Sequence, residues 1–172
     1  YRCKVAVRDR TSKEKVDALR AIGVEVEVVD GALPPDHPDS YTSMAKRIAK
    51  ETPNAVLANQ FYNQVNPQAH EATTGPELWE QTGGRITHFV AGLGTSGTFV
   101  GTSRRLKQLN PAIRCVSMQP DLPLHGLEGM KHMPTAIVPK IYDPGLADEN
   151  VWIETEDAYT MVRRLAREEA VP

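Results

Sequence analysis

In the stretch "HFVAGLGTSGTFVG", Gly92, Gly94 and Gly97 spell G-x-G-x-x-G between an apolar run and a helical pattern. A strand that enters a glycine turn and leaves as a helix points backbone N–H groups along the positive end of the helix dipole, which suits an anion. The spacing alone fits either a bridging pyrophosphate or a phosphate monoester. Two features favour the monoester. Thr95, Ser96 and Thr98 crowd the turn with hydroxyls, and a terminal phosphate dianion has more acceptor oxygens to satisfy than a bridging group. A dinucleotide fold also calls for an acidic residue about 20 residues on, at the end of the next strand. Asp121 lies near that place, but Pro120 intervenes. A side chain at Gly97 is expected to occupy the anion's space or to forbid the turn. The alternative to an anion site is a purely structural glycine turn.

The rest of the chain must position this turn, and it alternates strands with helices. "CKVAVRD" reads as a strand. Thr11 with Glu14 forms a candidate capping box, Val16, Leu19 and Ile22 recur at helical spacing, and Gly23 sits where a C-cap glycine belongs. "VEVEVVD" alternates with period two, as a half-wet strand does. A Pro-rich loop over 31–38 leads to an amphipathic helix through Tyr41, Met44, Ala45, Ile48 and Ala49. "AVLANQ" is expected to be a short third strand. Asn66-Pro67 resembles an N-cap followed by proline at the first helical position. That helix is expected to break near Gly75-Pro76, with Thr74 and Glu77 restarting it. "ITHFVAG" and "RCVSMQP" are strands flanking a helix whose face is set by Phe99, Thr102, Leu106 and Leu109. Residues 120–148 are rich in Pro and Gly, "VWIE" is a short strand, and Ala158, Met161, Val162, Leu165 and Ala166 mark a final amphipathic helix.

Alternation at this spacing predicts an α/β fold, doubly wound in three α/β/α layers with mostly parallel sheets. The long helical segment between the two groups of strands suggests two lobes. Residues 1–60 are assigned to a small N-terminal lobe, 61–84 to a connecting segment and 85–172 to a larger lobe that carries the glycine turn.

Composition bounds the function classes. With 172 residues, 40% of them hydrophobic and 24% charged, the chain has ordinary globular values. A net charge of −2 gives no basic footprint for nucleic acid or an anionic membrane, and no apolar run approaches a membrane span. Cys3 and Cys115 lie in strand-like runs and read as buried, reduced thiols of a cytoplasmic protein. Two distant thiols without paired histidines do not supply metal-ligand spacing, so no metal site is assigned.

"GLGTSGTFVGTSRRLKQLNP" resembles the phosphate-binding loop and following helix of the cysteine synthase and cystathionine β-synthase family, pyridoxal-phosphate enzymes of the type II fold. The family's loop reads G-T-G-G-T or G-T-S-G-T, and here it is Gly94-Thr95-Ser96-Gly97-Thr98. The resemblance extends through "TSKEKVDALRAIGVEVEVV", "NQFYNQVNPQAHEATTGPELWEQTGG", "GLEGMKHMPTAIVPKIYD" and "TEDAYTMVRRLAREE". It implies that Gly94, Thr95, Ser96, Gly97 and Thr98 hold the 5′-phosphate of pyridoxal phosphate. It implies that Gln60 helps hold the substrate carboxylate and that Gly129 lies beside the substrate. The family pattern near Gly129 is often G-I-G, whereas this chain has G-L-E-G-M. His125 and His132 flank that stretch and read as polar residues satisfied locally.

No catalytic residue is assigned within the 172 residues. The family's Schiff-base lysine motif and the serine that meets the pyridine nitrogen match nothing here, and Lys107 and Lys131 match nothing catalytic. The chain is therefore expected to be the middle of a longer enzyme, inactive by itself. The resemblance implies a β-replacement reaction in which an activated serine and sulfide or a thiol give cysteine, in a full-length homodimer. A cystathionine β-synthase-like lyase is the nearest alternative. A dinucleotide-dependent oxidoreductase, or a binding module without chemistry, is the alternative from another class.

Overall fold

The computed structural model describes residues 1–34 and 37–171 and divides into two units, Tyr1–Ala58 and Asn59–Pro172. Pro35 and Asp36 of the Pro-rich loop, and the terminal Pro172, lie outside the described residues.

In the first unit β1 (Lys4–Arg8) pairs in parallel with β2 (Glu25–Val29), in register from Lys4 opposite Glu25 to Arg8 opposite Val29. The crossover is α1 (Lys13–Ala21). Its cap is Ser12 rather than the expected Thr11 box, and the Ser12 side chain makes no capping bond. Its C-terminus follows expectation. Gly23 stands at φ +86°, its N–H donates to the Arg20 carbonyl at 2.9 Å, and the Val24 N–H donates to the Leu19 carbonyl at 3.0 Å. That pair of bonds is a Schellman motif, which a left-handed glycine closes without steric cost. Helix α2 (Tyr41–Glu51) starts at Ser40, whose hydroxyl accepts the Ser43 N–H at 3.2 Å. Two further expectations fail in this unit. Residues 55–59 carry no strand, and Val56 is exposed. Apolar character makes a segment eligible for a strand, but only a partner edge makes it one, and among the described residues β1 and β2 pair only with each other. Cys3 is exposed because β1 begins one residue after it, whereas Cys115 is buried.

The second unit is built on a parallel sheet in the order β3-β4-β5, formed by His88–Gly92, Arg114–Pro120 and Glu149–Ile153. Parallel neighbours need a covering crossover. Helix α5 (Gly97–Leu109) supplies it between β3 and β4, and its Phe99, Val100 and Leu106 are fully buried with Leu93, Ile113 and Cys115. Helices α3 (Val65–Ala72) and α4 (Thr74–Gln81) pack on α5. The break between them falls at Thr73, just before the expected Gly75-Pro76. The cause is still Pro76, which has no N–H for the Ala72 carbonyl and whose ring crowds it. The close approach of α3 rests on Gly97 and Gly101, one turn apart on α5. A Cβ on Gly101 would overlap the Pro67 carbonyl and come within 2.8 Å of His70 Cβ. The last helix, α6 (Thr155–Glu168), shows the expected amphipathic pattern, but Met161, Val162 and Leu165 are exposed. Among the described residues no helix is long and apolar enough to cross a membrane.

An ion pair pins the start of β5 to the sheet. Lys107 Nζ lies 2.9 and 2.6 Å from the Asp148 carboxylate oxygens, and the Cys115 N–H donates to the same carboxylate at 2.7 Å. The Lys107 hydrogen bond, then the Cys115 N–H, hold the Asp148 carboxyl below its ordinary value of 3.8. A depressed carboxyl contributes stability that is complete above the unfolded-state pKa and is lost as pH falls through the folded one. Asp148→Asn is therefore expected to lower the melting temperature at neutral pH, and the gap from the parent should close as pH drops below about 4. Melting curves across pH check this, and a gap that stays constant into acid would contradict the ionic role.

Candidate functional site

The turn after β3 is held from both sides before it begins. The Leu93 N–H donates to the Met118 carbonyl at 2.8 Å, and the Lys131 N–H donates to the Leu93 carbonyl at 2.8 Å. Leu93 itself is fully buried. A Cβ on Gly94 would stand 2.6 Å from the Gly129 carbonyl oxygen, so glycine at 94 is what lets two backbones meet there. Gly129 has φ +86° and open space where a side chain would project. Two residues singled out from sequence, Gly94 and Gly129, are thus neighbours. The Thr95 hydroxyl accepts the Gly97 N–H at 3.3 Å.

Ser96 is the unusual residue of the turn. It occupies the left-handed region (φ 70°, ψ −4°) without being glycine, and its side chain makes no capping bond. It is buried, and Ser96 Oγ has no hydrogen-bond partner among the described residues. A left-handed non-glycine residue costs on the order of 1–2 kcal/mol, and an unsatisfied buried hydroxyl costs roughly 1–3 kcal/mol. Two such costs on one residue make it a candidate functional position. Helical bonding starts immediately after it, with the Val100 N–H donating to the Ser96 carbonyl at 2.9 Å. The earlier N–H groups of the first turn have no intrahelical acceptor, as at any helix start.

Helix α3 buttresses the turn, through residues that sequence reading left without a functional role. Asn66 does not cap its helix, which is capped at Gln64. The Pro67 ring suits the first turn but does not fix which residue precedes it as cap. Instead Asn66 Nδ2 donates to the Gln60 carbonyl at 2.8 Å and lies 3.3 Å from Thr95 Oγ1. The same amide explains Gly97. That residue is helical rather than a turn residue, and its Cβ would collide with the Asn66 side chain, 2.5 Å from Cγ. The clash with Asn66 is thus a reason for glycine at 97 that stands beside the expected obstruction of an anion or of the turn. One helical turn on, His70 Nε2 lies 3.2 Å from Thr98 Oγ1 and His70 Nδ1 lies 3.0 Å from Thr74 Oγ1. Asn66 and His70 stand four apart on α3, opposite Gly97 and Gly101, which stand four apart on α5. That matched spacing is the signal by which the pair could have been found.

Gln60 is exposed, and its carbonyl accepts Asn66 Nδ2. Gly129 belongs to a segment fastened along its length. The Gly126 N–H donates to Thr155 Oγ1 at 3.1 Å, the Tyr159 hydroxyl donates to the Gly126 carbonyl at 3.2 Å, and the Met133 N–H donates to buried Gln119 Oε1 at 2.9 Å. His125 Nδ1 accepts the Leu127 N–H at 3.2 Å. Burial first, then the neighbouring His132, hold the His125 imidazole below its usual value against the opposing pull of Asp121. His132 bonds Thr135 Oγ1 at 2.8 Å and tilts over Trp152. Lys107 is committed to Asp148 and to the Ile113 carbonyl, and Lys131 lies 4.6 Å over the Phe61 ring.

A glycine cradle, an orphaned buried hydroxyl and a helix start suit a compact anion such as a phosphate, without a lysine or arginine inside the turn.

The profile of a family described as pyridoxal-phosphate dependent enzyme matches residues 1–172. A cysteine synthase of Aquifex aeolicus (strain VF5) is 40% identical over 169 residues, which are 98% of this chain and 51% of that protein. The crystal structure of a hydrogen sulfide-producing enzyme from Fusobacterium nucleatum superposes with a TM-score of 0.88 at 29% identity, covering 99% of this chain and 58% of that one. A cysteine synthase structure from Entamoeba histolytica gives 0.84 at 30% identity, covering 99% and 52%. The chain spans about half the length of the curated relatives it matches.

Proposed function

The chain belongs to the pyridoxal-phosphate dependent enzyme family, and from that premise we propose that it is part of a cysteine synthase-like β-replacement enzyme, joining an activated serine to sulfide or a thiol. The observation that carries the reading is Ser96, a buried left-handed residue with an unpartnered hydroxyl at the start of α5, beside the Gly94–Gly129 approach. In this reading Gly94, Thr95, Ser96, Gly97 and Thr98 hold the cofactor phosphate through backbone N–H groups and hydroxyls. Neutral donors then carry the anion's stabilisation, with the dipole of α5 adding to it. Gln60 receives the substrate carboxylate, and the open side of Gly129 leaves room beside it. Pyridoxal phosphate, when bound, supplies the electron sink for carbanion chemistry at the amino acid. The residues of this chain anchor it and shape part of the substrate pocket, and the Schiff-base lysine is assigned to the remainder of a longer polypeptide. A cytoplasmic homodimer is the assembly proposed for that polypeptide.

The test uses a polypeptide that contains this segment together with the lysine. Titration with pyridoxal phosphate should produce a visible absorbance band, and the loaded protein should form cysteine from O-acetylserine and sulfide. Thr98→Ala should weaken cofactor affinity about tenfold, the loss of one hydrogen bond to a charged group. Binding of a nicotinamide dinucleotide with no visible band would favour the oxidoreductase reading. Use of homocysteine in preference to sulfide would move the assignment to a cystathionine β-synthase-like enzyme.

A further inference from the structure

Asn66 joins two parts of the proposed site. Its Nδ2 donates to the Gln60 carbonyl at 2.8 Å and faces Thr95 Oγ1 at 3.3 Å, while Thr95 Oγ1 also accepts the Gly97 N–H at 3.3 Å. The amide sits in the space that a Cβ on Gly97 would fill. Helix α3 fixes its backbone, and Pro67, the next residue, is buried against α5. A short side chain on a rigid helix, packed against a glycine, has little rotamer freedom left to lose, so its hydrogen bonds hold their acceptors at set positions.

We propose that Asn66 is a positioning residue that locks the Thr95 side of the phosphate loop to the Gln60 segment, so that the loop is preorganised before the cofactor's phosphate arrives. The proposal rests on the functional reading above. Asn66 acts through Thr95 rather than on the phosphate. Removing its amide frees the Thr95 hydroxyl to rotate and releases the Gln60 carbonyl, so the loop must be ordered at the expense of phosphate binding.

The experiment compares pyridoxal phosphate with pyridoxal, which lacks the phosphate, as ligands of the full-length protein. Asn66→Leu keeps the approximate side-chain shape and removes both donated bonds without placing a charge beside the anion, and Asn66→Ala removes the side chain without adding bulk against Gly97. Each variant should bind pyridoxal phosphate about tenfold more weakly, the worth of one to two hydrogen bonds, while pyridoxal affinity stays within about twofold of the parent. Thr95→Val, and Thr95→Val combined with Asn66→Ala, complete a double-mutant cycle. If Asn66 works through Thr95, the double variant should bind no more weakly than Thr95→Val alone. Losses that add, or that fall equally on pyridoxal and its phosphate, would reduce Asn66 to a general packing residue and overturn the proposal. A parent protein that binds neither ligand would instead remove the functional reading itself, and the role of Asn66 with it.

Discussion

Gly101→Ala should destabilise the unit formed by residues 59–171 by about 1–3 kcal/mol, the usual cost of overpacking. Helix propensity predicts the opposite sign, since alanine is favoured over glycine in a helix interior by roughly 0.8–1.0 kcal/mol. Gly101 is interior to α5 and is not at positive φ, so nothing local requires glycine there. The deciding contacts are between helices. The added Cβ would overlap the Pro67 carbonyl and stand 2.8 Å from His70 Cβ and 2.9 Å from the Glu71 nitrogen. Two of these three are backbone atoms of α3, which cannot swing aside as a side-chain tip can. Helix α3 must therefore move as a body, and it carries Asn66 and His70 away from the turn. Urea denaturation should show the lost stability, and cofactor affinity in the full-length protein should fall with it. An alanine variant more stable than the parent would mean that α3 and α5 do not pack this closely and that propensity alone governs the position.

Ser96→Ala is expected to move stability and affinity in opposite directions. Without cofactor, the variant sheds a buried hydroxyl that has no partner among the described residues, and it should gain about 1 kcal/mol. Pyridoxal phosphate affinity of the full-length protein should fall roughly 10- to 100-fold, because a hydrogen bond to a charged group contributes about 1.5–3 kcal/mol. Ser96→Gly should gain about 1 kcal/mol more, since it also relieves the left-handed φ of 70°. Thermal melts of the apo protein and spectroscopic titration with cofactor measure the two effects separately. A variant that loses stability and leaves affinity unchanged would make Ser96 a structural residue and remove the main support for a phosphate at this turn.

The sequence by itself determined the elements whose causes are local. The period-two run at Glu25–Val29, the left-handed glycine at 23, the amphipathic helix from Tyr41 and the strand–turn–helix around Gly94–Thr98 all appear where periodicity and turn chemistry place them. Pro76 broke the α3–α4 segment, because the loss of an N–H acts four residues back along the same chain. The parallel α/β class also followed, since strands separated by helical patterns can pair in few other ways. Tertiary structure decided everything that depends on which distant group arrives. Residues 55–59 are apolar enough for a strand but carry none, because a strand needs an edge to pair with. Ser96, rather than one of the glycines beside it, took the strained backbone of the turn. Gly97 was spared a side chain by Asn66, which lies 31 positions earlier in the sequence, and Gly94 by the carbonyl of Gly129. Spacing along a chain reports the period of a helix or strand, but not which side chain of another element fills the space above a glycine. That is settled only when the two helices and the 126–133 segment pack, so Asn66 and His70 meet the candidate site only in three dimensions.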